Sequence, residues 1–198
     1  MFEENTNTEA ASGLLARAHR ADASLYASIA ASSTPSLDGP LALISNAANL
    51  SKPWVASAAL LSLFGGQRGR RAALYGIASI TASSAVVNLV MKPLSRRRRP
   101  DRVAIGVIEQ RHVSMPSSTS FPSGHSASAF AFAVGVGQVM PAAGAALLPA
   151  AALVSYSRVH TGVHFPGDVA AGILSGIVFA KLTSAVLDRR AGKANYSA

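Results

Sequence analysis

Residues 72–91 read AALYGIASITASSAVVNLVM, twenty positions without a charge, closed by Lys92. A helix of that length rises about 30 Å, the thickness of a bilayer's hydrocarbon core. Its many Ala, Ser and Gly residues suit close helix packing in lipid. This stretch decides the fold class: an α-helical protein embedded in a membrane. Three more apolar stretches follow, at 123–140, 142–156 and 167–187, the last with Lys181 near enough to its end for the ammonium to reach outward. Upstream, 41–50 is apolar but interrupted by Asn46 and Asn49, and 53–66 is a stronger run ending in Gly65-Gly66. Each falls short of the roughly 20 residues a span requires.

Outward from these runs, residues 12–31 set Leu14, Leu15, Ala18, Leu25 and Ile29 at helical spacing among Arg17, His19, Arg20 and Asp22. The pattern predicts an amphipathic helix lying on the membrane surface. A turn-rich break is expected over 33–40, where Pro35, Gly39 and Pro40 fall. The sum is an all-α integral membrane bundle of five to six membrane helices plus the interfacial N-terminal helix. Residues 1–10 are expected to be a polar tail and 11–198 one membrane domain.

Composition agrees. Hydrophobic residues make up 49% and charged ones 14%, against about a quarter charged in soluble domains. Lys and Arg outnumber Asp and Glu by 18 to 9, so the natural partners are anions. Between 39 and 187 the only carboxylates are Asp101, Glu109 and Asp168, while basic residues crowd into 67–71 and 92–102. The absence of cysteine excludes disulfides and thiolate metal sites. The first ten residues carry Glu3, Glu4 and Glu9, unlike the basic start of a signal peptide, which argues against a secreted soluble enzyme.

If each helix spans and reverses direction, four helix ends share one membrane face. One brings Lys92 and Arg99, the next Ser123, Gly124 and His125, and the last two Arg158, His164 and Asp168. Guanidinium forks and an ammonium match phosphate oxygens, and Ser123-Gly124 ahead of a helix offers free N–H groups to an anion. Phosphoryl transfer needs this charge neutralised, a task often given to Mg²⁺ held by carboxylates. Asp168 is the lone acid in the group, so three cationic side chains are expected to act in the metal's place, with no metal and no cofactor. A neutral imidazole oriented by a carboxylate can attack phosphorus. His164 and Asp168, four apart, can pair if the segment turns like a helix. His125 can then give a proton to the leaving group and later activate water.

These residues resemble the motifs of the type 2 phosphatidic acid phosphatase superfamily, which also includes class A acid phosphatases and vanadium haloperoxidases. Its first motif, Lys, six residues, Arg-Pro, matches Lys92 and Arg99-Pro100. The second, Pro-Ser-Gly-His, is intact as Pro122-Ser123-Gly124-His125. The third, Ser-Arg, five residues, His, three residues, Asp, is met by Ser157-Arg158, His164 and Asp168. The resemblance covers about 72–187, the expected catalytic core. It implies a helical bundle with the motifs at one end, catalysis without metal, His164 as nucleophile and His125 as general acid. It also implies phosphate contacts from Lys92, Arg99, Arg158, Ser123 and the Gly124 amide.

The expected substrate is a lipid phosphate: a phospholipid, isoprenyl or glycolipid monoester or diphosphate. The bilayer is the other partner, no nucleic acid is expected, and homo-oligomerisation is left open. A haloperoxidase-like enzyme and a basic binding module are the alternatives; the uncharged helix disfavours the first, and His125, His164 and Asp168 at their spacings the second. Outside the motifs, Arg96, Arg97 and Arg98 read as a headgroup-binding loop, and His160 as a loop hydrogen bond. His19 and His112 read as ordinary, Asn88 as a hydrogen bond to a neighbouring helix, and Trp54 beside Lys52 as an interface anchor. The expected location is the inner membrane. Arg68, Arg70, Arg71, Arg189, Arg190 and Lys193 would then be cytoplasmic and the site extracytoplasmic, although the catalytic side is itself rich in basic residues.

Overall fold

The computed structural model describes the backbone of residues 2–196 and the side chains of residues 13–192. Among the described residues every regular element is helical. Helix α1 is Phe2–Ala31, α2 Pro35–Ala47, α3 Lys52–Phe64 and α4 Gly66–Val86; a π turn at Val87–Met91 leads into α5, Lys92–Ser95. After a long connection come α6 (Gly124–Val139), α7 (Pro141–His160) and α8 (Pro166–Tyr196). Residues 2–10, expected as a polar tail, continue the backbone of α1.

Three helical stretches are long and apolar enough to cross a membrane unaided: Gly66–Ser95, Pro141–His160 and Pro166–Gly192. The other apolar helices are shorter. Helix α6 has 16 residues, about 24 Å, and packs against α4, α7 and α8 at the centre of the bundle. Its apolar character serves protein contacts: Phe132, Val136, Ala129 and Ala131 are fully buried. Helices α2 and α3, 13 residues each, pack on α7 and α4.

Small residues allow the close approaches that gather the helix ends. A Cβ on Gly172 of α8 would lie 2.4 Å from the Ser123 carbonyl, and one on Gly135 of α6 2.6 Å from Ser79 Oγ of α4. Neither site has room for alanine without movement of backbone or helix axis.

Three sequence expectations change. The break over 33–40 contracts to 32–34, because Pro35 opens α2, a position where its missing N–H costs nothing. Trp54 is only 2% exposed and packs on Phe132 with ring centroids 5.8 Å apart; its apolar area serves the core, not a headgroup layer. Asn88 donates to the Ser84 carbonyl of its own helical stretch at 2.9 Å instead of bridging to a neighbour.

Candidate active site

Lys92 follows directly on the π turn, a distortion that shifts the facing of the helix beyond it and is common at functional sites. Its Nζ reaches Ser118 Oγ at 3.4 Å and would lie 3.6 Å from a Cβ built on Gly124. Arg99 sits in the loop after α5 and is fastened by its donors. Nε bonds the Ser118 carbonyl at 2.9 Å, and Nη2 bonds Ser118 Oγ and the Thr119 carbonyl at 3.2 Å each. Nη1 reaches the Val163 carbonyl at 3.0 Å and His164 Nε2 at 3.2 Å.

Arg158 lies in the last turn of α7, 1% exposed. Nη1 donates to Ser45 Oγ and, at 3.3 Å, to the Ser45 carbonyl, whereas the buried Nε has no protein acceptor. A buried guanidinium N–H without an acceptor is costly, and an anion between these helix ends would satisfy it. The chain then reverses through Gly162, whose φ of +69° a side chain would strain. The amides of Val163 and His164 both bond the Arg158 carbonyl at 3.1 Å, so the backbone fixes His164 relative to Arg158.

The contacts of His164 define its state. A guanidinium can only donate, so the Arg99 contact requires a lone pair on Nε2 and puts the ring proton on Nδ1. That nitrogen faces Asp168 Oδ2 at 3.5 Å without closing a hydrogen bond to it. Burial, reinforced by the charges of Arg99 and Arg158 and opposed by Asp168, pulls the His164 pKa down to about 4. The result is a neutral imidazole whose lone pair looks into the group of cations. Asp168, in the first turn of α8, is fully buried. Its Oδ2 accepts from Ser120 Oγ and, at 2.9 Å, from the Phe165 amide; α8 begins at Pro166, so His164 lies just ahead of the helix and not within it.

On the α6 side, Ser123 is the N-cap. Its amide donates to the Asp168 carbonyl at 2.9 Å, and its Oγ is shared with Ser126 Oγ at 3.0 Å. His125 stands in the first turn with Nε2 at 2.9 Å from Asn49 Oδ1, within electrostatic reach of Arg158, His164, Lys92 and Arg99. All eight residues expected from the sequence thus lie at one end of the bundle. The other end is marked by Arg68 on the Val139 carbonyl and by the Arg71–Asp188 pair.

Arg97 is where the sequence reading fails. Arg96 and Arg98 are exposed, in keeping with a headgroup loop, but Arg97 turns inward. Its Nη1 donates to Asp168 Oδ1 at 2.7 Å and its Nη2 to Asp22 Oδ2 of α1 at 2.6 Å. The guanidinium also covers the Phe165 ring at 4.4 Å. The carboxylate beside His164 is therefore held on both oxygens, and Asp22, whose Oδ1 accepts from the Gly167 amide at 2.7 Å, is a second acid in the group. Four successive arginines carry no signal that separates the second from the others along the first motif.

His160 forms a separate buried cluster. Its Nε2 donates to Asp38 Oδ1 at 2.9 Å, the same oxygen that accepts from Arg111 Nε at 2.7 Å. Arg111 further bonds carbonyls of Ile29, Ala30 and Ser32, tying the 92–123 connection to α1, α2 and α7. His19 and His112 bond nearby carbonyls, Leu15 at 2.9 Å and Val107 at 2.9 Å.

Lys92, Arg99 and Arg158, gathered beside one neutral imidazole and a second histidine, can support phosphoryl transfer. The model of the PAP2 superfamily matches residues 72–191. The chain belongs to the PAP2 superfamily. Its PAP2 relatives include the decaprenylphosphoryl-5-phosphoribose phosphatase of Mycobacterium tuberculosis, 37% identical over 132 residues, which are 65% of this chain and 68% of that protein. The lipid A 1-phosphatase of Rhizobium johnstonii is 31% identical over 112 residues, 56% of this chain and 46% of the relative. Among solved structures, Aquifex aeolicus LpxE superposes with a TM-score of 0.63 at 27% identity, covering 81% of this chain and 92% of LpxE. The transmembrane PAP2 type phosphatidylglycerolphosphate phosphatase of Bacillus subtilis shares the fold, with a TM-score of 0.66 at 23% identity over 87% of each chain. The protein is a membrane phosphatase of the PAP2 type.

Proposed function

We propose that this PAP2 phosphatase hydrolyses a lipid-linked phosphomonoester in two displacements through a phosphohistidine on His164. The observation that carries the reading is the pairing of Arg99 with His164 Nε2 at 3.2 Å. It leaves the attacking lone pair next to a cation that would hold the phosphate, while Asp168, facing Nδ1–H, orients the ring and offsets the positive charge it gains on attack. Lys92, Arg99 and Arg158, with Ser123 and the Gly124 amide, neutralise the phosphoryl oxygens as charge spreads over them. His125 protonates the departing oxygen and then activates water, which releases phosphate and frees His164.

A phosphorylated headgroup on a long isoprenoid lipid is the first substrate class to try, since the relative acting on decaprenylphosphoryl-5-phosphoribose aligns over most of its own length. The chain acts as one membrane domain with 72–187 as its catalytic core. Arg68, Arg70, Arg71, Arg189 and Arg190 lie away from the site, and the positive-inside tendency puts them in the cytoplasm and the site on the outer face of the plasma membrane. Because the protein has no cysteine, Ser117→Cys, at an exposed position of the 112–119 loop, reports this directly. A membrane-impermeant maleimide should label it in intact cells; labelling only after lysis would reverse the orientation.

The activity is tested by phosphate release from a panel of lipid phosphates in detergent, with excess chelator and with vanadate. Chelator-resistant, vanadate-sensitive release that disappears in His164→Ala supports the reading, and unchanged release in that variant removes it.

A further inference from the structure

His125 touches the part of the chain that the PAP2 match leaves out. Its Nε2 lies 2.9 Å from Asn49 Oδ1, and Asn49 opens the single turn Asn49–Ser51 between α2 and α3. The two residues after it adopt left-handed backbone: Leu50 with φ 56° and ψ 26°, and Ser51 with φ 56° and ψ 22°. Neither is glycine, so both conformations are unfavourable. Burial of Leu50 does not offset the cost, since it is 86% exposed. What the turn achieves is delivery of the Asn49 side chain to His125. Strain of this kind concentrates where a side chain must be held in place.

A proton donor must begin with a proton on each ring nitrogen. Burial and the charges of Arg158, Lys92 and Arg99 disfavour the charged form of His125, so the second proton needs an acceptor at the ring and the negative charge of a bound phosphate. Asn49 Oδ1 is a neutral acceptor among these cations. We propose that Asn49 is a positioning residue for the proposed acid, holding Nε2–H so that Nδ1–H is the proton delivered to the substrate. This rests on the phosphohistidine reading above. In the first displacement the His164 Nε2 lone pair forms the N–P bond as the P–O bond to the leaving group breaks. The bonding pair stays on the departing oxygen, which takes the Nδ1 proton of His125. In the second, Nδ1 accepts a proton from water as its oxygen bonds to phosphorus, and the N–P pair returns to His164.

The experiment compares kcat/KM, which reports the steps up to departure of the leaving group, for phosphatidic acid and for p-nitrophenyl phosphate in detergent. An alkoxide needs a proton to leave; p-nitrophenolate does not. By analogy with other partners that orient a histidine, Asn49→Ala should lose about 10–100-fold on phosphatidic acid. It should stay near wild type on the aryl ester, and Asn49→Asp, which keeps the acceptor oxygen, should recover most of the loss. Asn49→Gln, which keeps the amide but displaces it by a methylene, gives the same leaving-group-selective reading if Asn49→Ala fails to fold. Equal losses on both substrates, or no loss, would overturn the proposal. His125→Ala separates the two levels of failure: without leaving-group selectivity in that variant, His125 is not the acid and the phosphohistidine reading itself must be revised.

Discussion

The segment 72–191 and the segment before it contribute to the site in different ways. The first carries the groups proposed to meet phosphate, Lys92, Arg99, Ser123, Gly124, His125, Arg158 and His164, together with Asp168 behind His164. The second carries none of these, yet its side chains touch several of them. Asn49 meets His125, Ser45 meets Arg158, and Asp22 meets the Arg97 that grips Asp168. Reactive groups can sit at fixed spacing in one segment while their orientation is fixed from another, because pose depends on partners in space and not on sequence interval. The N-terminal helices thus supply side chains that touch the residues of the candidate site.

That division can be broken most severely from the catalytic side. His164→Ala should lower kcat by about 10⁴-fold or more, as loss of a nucleophile does elsewhere, with the bundle's melting temperature in detergent unchanged. A different break falls on the N-terminal side. Arg111→Met strands Asp38 without its buried guanidinium, and such a loss costs about 3–5 kcal/mol. A scanning melt should show it as reduced stability, while activity per folded molecule persists because Arg111 contacts no phosphate-facing group.

The joint between the segments should give an intermediate effect. Arg97→Ala frees Asp168 Oδ1 and should reduce kcat by about 10–100-fold, while Arg98→Ala next to it leaves the rate unchanged. The side chain borders an open groove of about 460 Å³ lined also by Asp22, Phe121 and Gly167. Added guanidinium ion should therefore enter and partly restore the Arg97→Ala enzyme. Equal behaviour of the two arginine variants would return Arg97 to the headgroup loop.

The smallest effect concerns pH. With its pKa pulled down to about 4 by burial, His164 should remain neutral from roughly pH 8 to roughly pH 5, where an ordinary histidine would gain its proton. Imidazole ¹⁵N shifts of the substrate-free protein in detergent would show this. Protonation near pH 6.5 would mean that the ring is more hydrated than the structure indicates.

Much of this was legible in the residues. The uncharged run at 72–91 announced a membrane helix, and three spaced motifs named the eight residues that the fold gathers at one end of the bundle, because residues at a fixed interval leave a trace in one dimension. Positioning residues leave a weaker one. Asn49 showed only as a polar interruption in an apolar run, and Asp22 as one acid on an amphipathic helix. Arg97 was hidden among identical neighbours, with nothing local to say which side chain turns inward. Trp54 misled because Trp beside Lys looks the same at a lipid headgroup as against Phe132. Short helices were also underdetermined, since α6 is apolar for the sake of its protein neighbours and not for its length in lipid.

The most direct test of the account is to trap the covalent intermediate. Enzyme mixed with a lipid phosphate labelled in the transferred phosphate, quenched in alkali after milliseconds and digested, should yield label on the peptide containing His164. The bond should be stable to base and labile to acid, and absent in His164→Ala. Label on Ser123, or full turnover in His164→Ala with no labelled peptide, would contradict it.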